Sequence, residues 1–435
     1  MKIRNYLIIL FLIGFYNLGF SQESLDLNSA ISLAVKNNYS ILLAKDSLSI
    51  ARNNNTYGNA GAYPAVTLNG AYTFSDNNIQ QNFTTSSNSS NGAKTNNYTS
   101  NIALNWNLFN GLKPFATKGR LNQLMHQGEL NVKLQIEGTI QQVMKAYYRL
   151  ITAEQSLKVI KETISIDDER IKIADTKFKI GSGSKIDLLQ AKVDRNEQES
   201  QLLAQQISID SAKTFLNQVL VRDLKTSFKT ADTDIEIHYK PSWEGLWDSV
   251  EQKNFQVLSA KTNILINEFT SRERKADLYP VLQGIAGYYF SETKNTAGFS
   301  LLNRSIGPQL GLNLSWNLFN GGFYRIRYEN SKLLTNRAKI NYNSTLSLIQ
   351  ANLYAQFQAY QNLLTALNLE EENVLLAREN FNIALKKYRL GASTQLDLIT
   401  AVQSLESSLN RLVQAKFNAK ISEINLLQLS GNLVH

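Results

Sequence analysis

The sequence of 435 residues predicts an α+β fold built from two tandem copies of one helix–strand–strand–helix plan. Two observations predict this fold class. The phrase NWNLFNG at 105–111 returns as SWNLFNG at 315–321, 210 positions later. The spacing of apolar residues also changes along each copy, from a seven-residue period to strict alternation. These two patterns are typical of long coiled-coil helices joined to β-strands.

The duplication extends to both sides of this phrase. Upstream, NNYSILLAK (37–45) matches KNFQVLSAK (253–261), 216 positions later. Downstream, KFKIGSGSKIDLL (177–189) matches KYRLGASTQLDLI (387–399), 210 positions later. The offset changes within the polar stretch 76–97, which we expect to be a surface loop because loops tolerate differences in length.

Element boundaries follow from these patterns. We expect a signal peptide at 1–21, a first structural repeat at 22–222, a connecting equatorial segment at 223–242 and a second repeat at 243–435. The first repeat is expected to hold a helix at 26–57, strands at 64–75 and 98–109, a long helix at 112–180 and a helix at 186–222. The second is expected to hold a helix at 245–276, strands at 280–290 and 306–319, a long helix at 322–389 and a helix at 395–430.

The N-terminus has the pattern of a secretory signal peptide. Lys2 and Arg4 precede the apolar run 7–20, and the small residues Gly19 and Ser21 come before the expected cleavage site. An uncleaved helical anchor is the alternative. Beyond residue 21, no apolar run reaches the ~18–20 residues that a membrane helix needs. We therefore expect an exported chain without a helical anchor. Because the chain has no cysteine, disulfides and thiolate chemistry are excluded.

The long helices carry a coiled-coil seam. Every seventh residue from Ile136 to Phe178, and from Leu346 to Tyr388, is apolar or aromatic. Asp167 on the long helix and Arg195 on the return helix interrupt the pattern. The helix at 112–180 is as long as its two shorter neighbours together. We therefore expect one long rod beside two shorter rods placed end to end.

The segments between helices alternate every two residues. One face of 98–109 is apolar, with Ile102, Leu104, Trp106 and Leu108, and the other is small and polar. This pattern favours membrane β-strands with one face toward lipid and one toward a wet lumen. Trp106 and Trp316 are expected at the membrane interface, where aromatic belts lie. The alternative is two ordinary hairpins, each with one solvated face.

Four strands cannot close a membrane barrel alone. An open edge in lipid leaves backbone groups unpaired, and the smallest such barrels have about eight strands. We therefore expect the chain to oligomerise, with two, three or four copies supplying about 8, 12 or 16 strands.

The duplicated motifs resemble the TolC-type outer-membrane efflux proteins, also called outer membrane factors. The resemblance lies in YP at the first strand, WNLFNG at the strand exit, and FxxGxxxxxDLL or YxxGxxxxxDLI at the helix turn. It implies a homotrimer in which the helices form an α-barrel across the periplasm and four strands per chain contribute to one 12-stranded outer-membrane β-barrel. It also implies passive transport through the exit duct of a tripartite efflux pump or type I secretion system of a Gram-negative bacterium. The implied partners are outer-membrane lipid, a periplasmic adaptor protein and an inner-membrane pump or ABC exporter.

The helix turns carry capping signals. Gly181 and Gly391 follow the long helices, as C-terminal caps do. Ser184 with Asp187, and Thr394 with Asp397, fit the N-terminal capping box.

The resemblance gives the same turns a role in gating. It implies that Asp187, Asp397 and Tyr388 close the inner end of the duct, with Asp397 at the first position of an acidic ring and Tyr388 and Asp187 forming a tyrosine–aspartate link. Three residues depart from the family pattern. Thr400 stands at the second acidic position, Ser393 replaces a basic link residue and Ile186 replaces a threonine. We expect a thinner closing network for this reason.

The adaptor is expected to dock on the exposed turn residues. These are Lys179, Ile180, Gly181, Ser182, Arg389, Leu390, Gly391 and Ala392.

Other patterns in the sequence do not indicate a catalytic or metal-binding site. GSGSK lacks the spacing of a phosphate loop, and His126, His238 and His435 are scattered. We therefore expect no enzyme, no cofactor and no metal site. A net charge of +9 with interspersed signs does not mark a nucleic-acid binder. The alternative function is an exported coiled-coil scaffold or adhesion protein, and the cargo of a duct stays open.

Overall fold

The computed structural model describes residues 23–434, so the expected signal peptide lies outside the described residues. The first half contains β1 (Glu23–Leu25), α1 (Leu27–Asn37), α2 (Tyr39–Asn54), β2 (Ala65–Asn82), β3 (Ser87–Phe109), α3 (Lys113–Lys179), α4 (Lys185–Val219) and β4 (Phe228–Thr230). The second half contains α5 (Trp243–Lys253), α6 (Phe255–Ala276), β5 (Val281–Asn295), β6 (Leu302–Ser315), α7 (Phe323–Arg389) and α8 (Gln395–Ser430). The predicted α+β class is confirmed.

The chain forms two compact units. The helical unit contains the described residues up to Ala44, Val132–Gln256 and the residues from Leu346 onward. The strand unit contains Lys45–Asn131 and Val257–Thr345. The long helices α3 and α7 contribute residues to both units. Within residues 23–434, no helix combines the length and the apolar character that a membrane span requires.

The first core of the helical unit surrounds α3. Val143, Tyr147 and Leu150 on α3 pack with Leu216 of α4 and Phe228 of β4, and all five are fully or almost fully buried. The parallel pair of β1 with β4 joins this core. The Tyr147 hydroxyl donates to the Leu25 carbonyl over 3.1 Å, which ties the first strand to the long helix.

The second core lies between α7 and α8. It contains Phe381, Leu385 and Tyr388 of α7 with Leu398 and Leu405 of α8. These residues continue the seven-residue seams expected from the sequence, because that spacing keeps one face of each helix toward its neighbour.

Two of the expected helices are each divided in two. The helix expected at 26–57 is broken at Asn38, and the one expected at 245–276 is broken at Asn254. The physical reason is the asparagine side chain. Asn38 Oδ1 accepts from the backbone N–H of Ser40 over 2.8 Å, and Asn254 Oδ1 accepts from that of Gln256 over 2.9 Å. Each side chain thereby begins a new helix where the previous one has ended.

The strand unit holds an antiparallel sheet in the order β2–β3–β5–β6. Its register places Leu68, Ile102, Tyr288 and Pro308 opposite one another across all four strands. Residues opposite each other share a face of the sheet. The apolar positions therefore form one continuous face, with the small polar positions on the other.

The strands differ from their expected limits. The stretch 76–97 is not a loop: its ends continue β2 and β3, with a bulge between Asn77 and Ile79 and a turn at 83–86. Strand pairing uses backbone groups, so polar side chains do not prevent it. In the second repeat, β6 ends at Ser315 rather than at 319, and Trp316 follows the strand.

Glycines on α3 permit close packing. A Cβ on Gly119 would lie 2.3 Å from the Phe269 ring, and one on Gly128 would lie 3.3 Å from the Leu48 side chain. Space around Gly138 is open to at least 4 Å, and nothing in the structure explains that glycine.

Candidate functional site

The turns that follow α3 and α7 have nearly the same backbone. Gly181 has φ +75° and Gly391 has φ +74°, the left-handed conformation that glycine adopts at low cost. Ser182 N–H donates to the Lys177 carbonyl over 2.8 Å, and Ala392 N–H donates to the Lys387 carbonyl over 2.9 Å. These bonds satisfy carbonyls that the helix end leaves free.

The two N-terminal caps beyond these turns differ. Thr394 and Asp397 form the reciprocal capping box: Thr394 N–H donates to the Asp397 carboxylate over 2.9 Å, and Asp397 N–H donates to the Thr394 hydroxyl over 3.2 Å. Ser184 instead accepts from Ile186 N–H over 3.1 Å, so Asp187 takes no part in that cap.

Hydrogen bonding favours the ionised form of Asp397. The Thr394 hydroxyl donates to its carboxylate over 2.7 Å, and this bond holds the pKa of Asp397 below its usual value, with help from the Thr394 backbone N–H. Asp397 is therefore a fixed negative charge at the beginning of α8.

Two bonds join the first turn to the second. Lys177 Nζ lies 3.9 Å from the centroid of the Tyr388 ring and donates to the Tyr388 carbonyl. On the other side, Gln395 Nε2 donates to the Asp187 carbonyl over 3.0 Å. Farther along the helices, Arg389 pairs with Glu169. The two helical hairpins are thus held together at their turns by polar contacts.

Tyr388 and Asp187 do not form the direct link that the resemblance implies. Among the described residues, no hydrogen bond joins the Tyr388 hydroxyl to the Asp187 carboxylate. Tyr388 is buried, which raises the pKa of its hydroxyl, and the negative charge of Asp187 raises it further. Asp187 is therefore near Tyr388, while Lys177 makes the contact with its ring.

The three departures from the family pattern make no cross-link between the hairpins. Thr400 Oγ1 donates to the Leu396 carbonyl of its own helix over 2.9 Å. The Ser393 hydroxyl is buried without a hydrogen-bond partner, and the Ile186 side chain is 75% exposed.

An ionic cluster lies where the sequence interrupts its apolar seams. Buried Arg170 pairs with buried Asp167 over 2.6 Å and with Asp194 over 3.0 Å. Next to it, Arg195 pairs with Asp168 over 2.6 Å. Burial raises the pKa of Asp167, and the positive charge of Arg170 opposes that rise. The sequence marked this cluster only as charged residues at seam positions.

The expected docking residues lie at the surface of the turns. Ile180 and Leu390 expose 71% and 84% of their surface, and Gly181, Ser182, Gly391 and Ala392 are also exposed. Lys179 pairs with Asp175 of its own helix over 2.6 Å, and Arg389 is engaged by Glu169. The turns therefore present the apolar side chains of Ile180 and Leu390 to the outside.

The two tryptophans at the strand exits make equivalent bonds. Trp106 Nε1 donates to the Ala62 carbonyl over 2.9 Å, and Trp316 Nε1 donates to the Leu278 carbonyl over 3.2 Å. The two acceptors are 216 positions apart, as the repeat requires. Both rings stay partly exposed beside the apolar face of the sheet.

The described residues offer no candidate metal site. Within residues 23–434, no group of three or more His, Asp or Glu side chains is placed to hold a metal ion.

The duplicated helices, the sheet with one apolar face and the capped turns define a class of outer-membrane channel-forming proteins. The family model described as outer membrane efflux protein matches residues 30–220 and 246–432. The chain therefore belongs to the outer membrane efflux protein family, and the TolC-type resemblance seen in the sequence is confirmed. Its place is the outer membrane, and its family is one of efflux proteins rather than enzymes.

Individual relatives are distant in sequence and close in fold. The outer membrane efflux protein BepC of Brucella suis is 20% identical over 336 residues, which are 76% of this chain and 72% of BepC. The outer membrane protein TolC of Vibrio cholerae is 20% identical over 68% of each chain. The solved CmeC outer membrane channel of Campylobacter jejuni has a TM-score of 0.75 at 16% identity, over 94% of this chain and 86% of that one.

Proposed function

We propose that three copies of this chain close one 12-stranded barrel in the outer membrane and one helical tunnel, and that this assembly is a passive exit duct. The observation that carries the proposal is the open sheet. β2 and β6 are edge strands, each with one row of backbone groups that pairs with no strand among residues 23–434. Such edges are not stable in lipid, so another copy has to cover them.

The exposed face of the sheet supports a position in lipid. Leu68 of β2 and Leu310, Leu312 and Leu314 of β6 expose between 69% and 84% of their surface. Contiguous apolar surface of this kind marks a membrane or protein contact. The opposite face carries small polar residues such as Asn69 and Asn101, which suit a water-filled lumen.

The helical unit offers two further unpaired surfaces. On α7 and just beyond its end, exposed apolar residues recur every seven positions at Leu369, Leu376, Ile383 and Leu390. On α4, a second exposed stripe contains Ile186, Leu189, Val193, Leu203 and Ile207. The seams inside the chain use other faces of these helices. Contact of one stripe with the other stripe of the next copy is head-to-tail, the kind of contact that can close a ring. Three is the number of copies that the family resemblance implies.

The turns are the proposed gate and docking surface. Asp187 and Asp397 of each copy place negative charge at the inner end of the duct, which favours cations there. Tyr388, held by Lys177, keeps the two hairpins of one copy together. The exposed residues from Lys179 to Ser182 and from Arg389 to Ala392 suit a periplasmic adaptor. An inner-membrane pump or ABC exporter supplies the energy, as in a tripartite efflux pump or a type I secretion system.

Native mass spectrometry and planar-bilayer recording test the assembly. We expect the detergent-extracted protein to have the mass of three chains and to form stable channels. A mass of two or four chains would contradict the trimer, and an absence of channels would contradict the duct.

Membrane extraction tests the alternative scaffold or adhesion function. A barrel stays in the outer membrane after a carbonate or urea wash, whereas a peripheral coiled-coil protein is released. Release of the full-length protein into the wash would favour the scaffold and exclude the barrel.

A further inference from the structure

The strand unit contains a cavity of about 470 Å³ that the proposed duct does not use. It lies between the segment that joins β3 to α3 and the last turns of α6. Its walls are largely apolar, with Phe109, Leu112, Phe115 and Phe269, while Arg272 and Lys275 line one side. This volume falls within the range of about 300–1,000 Å³ that is typical of ligand sites.

Backbone geometry fixes the walls of the cavity. Gly111 has φ +68°, and a Cβ at this position would lie 2.7 Å from the Ala276 carbonyl oxygen. Leu112 follows with φ +62°, a conformation that non-glycine residues adopt rarely. Gly119 admits the Phe269 ring. The cavity is therefore a shaped feature of the fold.

The cavity adjoins the apolar face of the sheet. Trp106 lies opposite Gly284, whereas Phe109 lies opposite Leu282, because a bulge separates Asn107 from Phe109. Gly284 and Leu282 are two positions apart and share a face. Phe109 therefore lies on the same face as Trp106, not on the polar face that simple alternation assigns to it. The cavity continues the surface proposed to face lipid.

The two cations are not neutralised by neighbouring acids. Glu268 lies 3.9 Å from Lys339, and Asp277 pairs with Lys113 over 2.7 Å. In the described part of the chain, no carboxylate lies within ion-pair distance of Arg272 or Lys275. The Arg272 guanidinium lies 4.9 Å from the centroid of the Phe269 ring.

A polar groove lies on the far side of the same cations. Arg272 and Lys275 also line a second cavity of about 510 Å³, together with Lys332 and Lys339. Arg272 and Lys275 thus lie between the largely apolar cavity and a second groove, which Glu268 also lines.

The first repeat lacks this arrangement. At the positions 216 residues earlier, Ala60 and Tyr63 match Ala276 and Tyr279, which are part of the repeated packing. Phe269, Arg272 and Lys275 have Asn53, Thr56 and Asn59 as their counterparts. The shared fold accordingly does not require the aromatic ring and the two cations.

We propose that this cavity holds an acyl chain of an anionic glycerophospholipid whose phosphate is bound by Arg272 and Lys275. An apolar chamber beside two unpaired cations, at the edge of a lipid-facing surface, matches an amphiphile with one negative headgroup. Binding there fixes α6 against the beginning of α3, directly beside the strand exits. This inference rests on the proposed barrel in the outer membrane.

The test is native mass spectrometry of the full-length protein from nanodiscs of equal phosphatidylglycerol and phosphatidylcholine content. We expect about one retained phosphatidylglycerol per chain and little phosphatidylcholine. The variant Arg272→Gln/Lys275→Gln should lower phosphatidylglycerol retention roughly 30-fold, because each cation near a headgroup contributes a factor of about five. The matched control Lys261→Gln/Arg337→Gln removes the same charge from exposed positions of α6 and α7 and should retain the lipid.

Each outcome is decisive. Equal loss in the variant and the control, or equal retention of both lipids, overturns the lipid site. Competition by glycerol 3-phosphate as strong as by the whole lipid would indicate a phosphate site without an acyl chain, which also overturns it. The same preparations report the oligomer mass and channel conductance. A conducting trimer without bound phosphatidylglycerol refutes this inference alone, whereas a chain that forms no channel refutes the proposed function.

Discussion

Lys177 and Tyr388, which are 211 positions apart, are joined twice: Nζ lies 3.9 Å from the centroid of the tyrosine ring and donates to the tyrosine carbonyl. Lys177 lies in the last turn of one long helix and Tyr388 in the last turn of the other. The Lys177 side chain is thus one of the contacts that hold the two helical hairpins of one chain together at the turns, in the position where the resemblance implied a tyrosine–aspartate link.

Removal of this cation should loosen the turns. We expect Lys177→Met to raise the open probability in planar bilayers about tenfold, since a cation–π contact with a hydrogen bond contributes about 1–2 kcal/mol. Lys177→Arg keeps the charge and should stay near wild type. An unchanged open probability in Lys177→Met would exclude this contact as a latch.

Cation selectivity should persist at low pH because of Asp397. Its folded-state pKa is depressed by the Thr394 hydroxyl, so its negative charge and its contribution to stability are present above the usual aspartate pKa. The charge and the stability are lost only as the pH falls through the lowered pKa of Asp397 in the folded state. We expect reversal potentials to stay cation-selective near pH 4 in wild type and to weaken at every pH in Asp397→Asn. Equal selectivity of the two proteins would remove Asp397 from the gate.

Arg170 should be critical for stability. Arg170→Met leaves buried Asp167 without its partner, so we expect a loss of about 3–5 kcal/mol in the free energy of unfolding. The double variant Asp167→Leu/Arg170→Leu should recover most of that loss, because no charge is then left unpaired at the buried position. Arg195→Gln, at a more exposed pair, should cost less than about 1 kcal/mol. Chemical denaturation in detergent measures all three.

Two glycines of α3 should respond in opposite directions to alanine. Gly119→Ala would place a methyl group 2.3 Å from the Phe269 ring, and the overpacking should destabilise the protein by about 1–3 kcal/mol. Gly138→Ala meets no atom within 4 Å and should stabilise the helix by up to about 1 kcal/mol. Thermal unfolding of the two variants compares them directly. Stabilisation by Gly119→Ala would show that the ring moves aside freely.

Glu137 should make stability fall between acid and neutral pH. It is 4% exposed, its Oε1 has no hydrogen-bond partner, and burial raises its pKa from 4.5 to about 7. As the pH rises, the folded state loses the Glu137 proton at a higher pH than the unfolded state does. The resulting stability is complete below pH 4.5 and is lost as the pH rises to about 7.

The conservative amide tests this titration. Glu137→Gln should be more stable than wild type at pH 8 by about 2 kcal/mol, after allowance for solvent screening, and should flatten the decline. Glu236→Gln, whose side chain is 78% exposed, is the control and should leave the pH profile unchanged. A wild-type profile that is flat between pH 4.5 and 7 would exclude a protonated Glu137.

Several features of this protein follow from the sequence alone. The duplication is found by comparing distant stretches of the sequence directly. The long helices, the alternating faces of the strands, and the glycine and threonine caps are local patterns. Each depends on residues within one or two turns of each other, so the periodicity of the backbone is enough to predict it. The helix breaks at Asn38 and Asn254 also depend on local side-chain bonds. The apolar pattern continues across both positions, so it did not predict the breaks.

Only the tertiary structure decided which distant groups meet. The rotation and stagger of the helices bring Lys177 to Tyr388 and Arg170 to Asp194, and no spacing in the sequence specifies either. One bulge turns Phe109 to the apolar face and completes the cavity beside Arg272. A contact between distant residues depends on how whole elements pack, because a shift of one residue in register changes which side chains face each other.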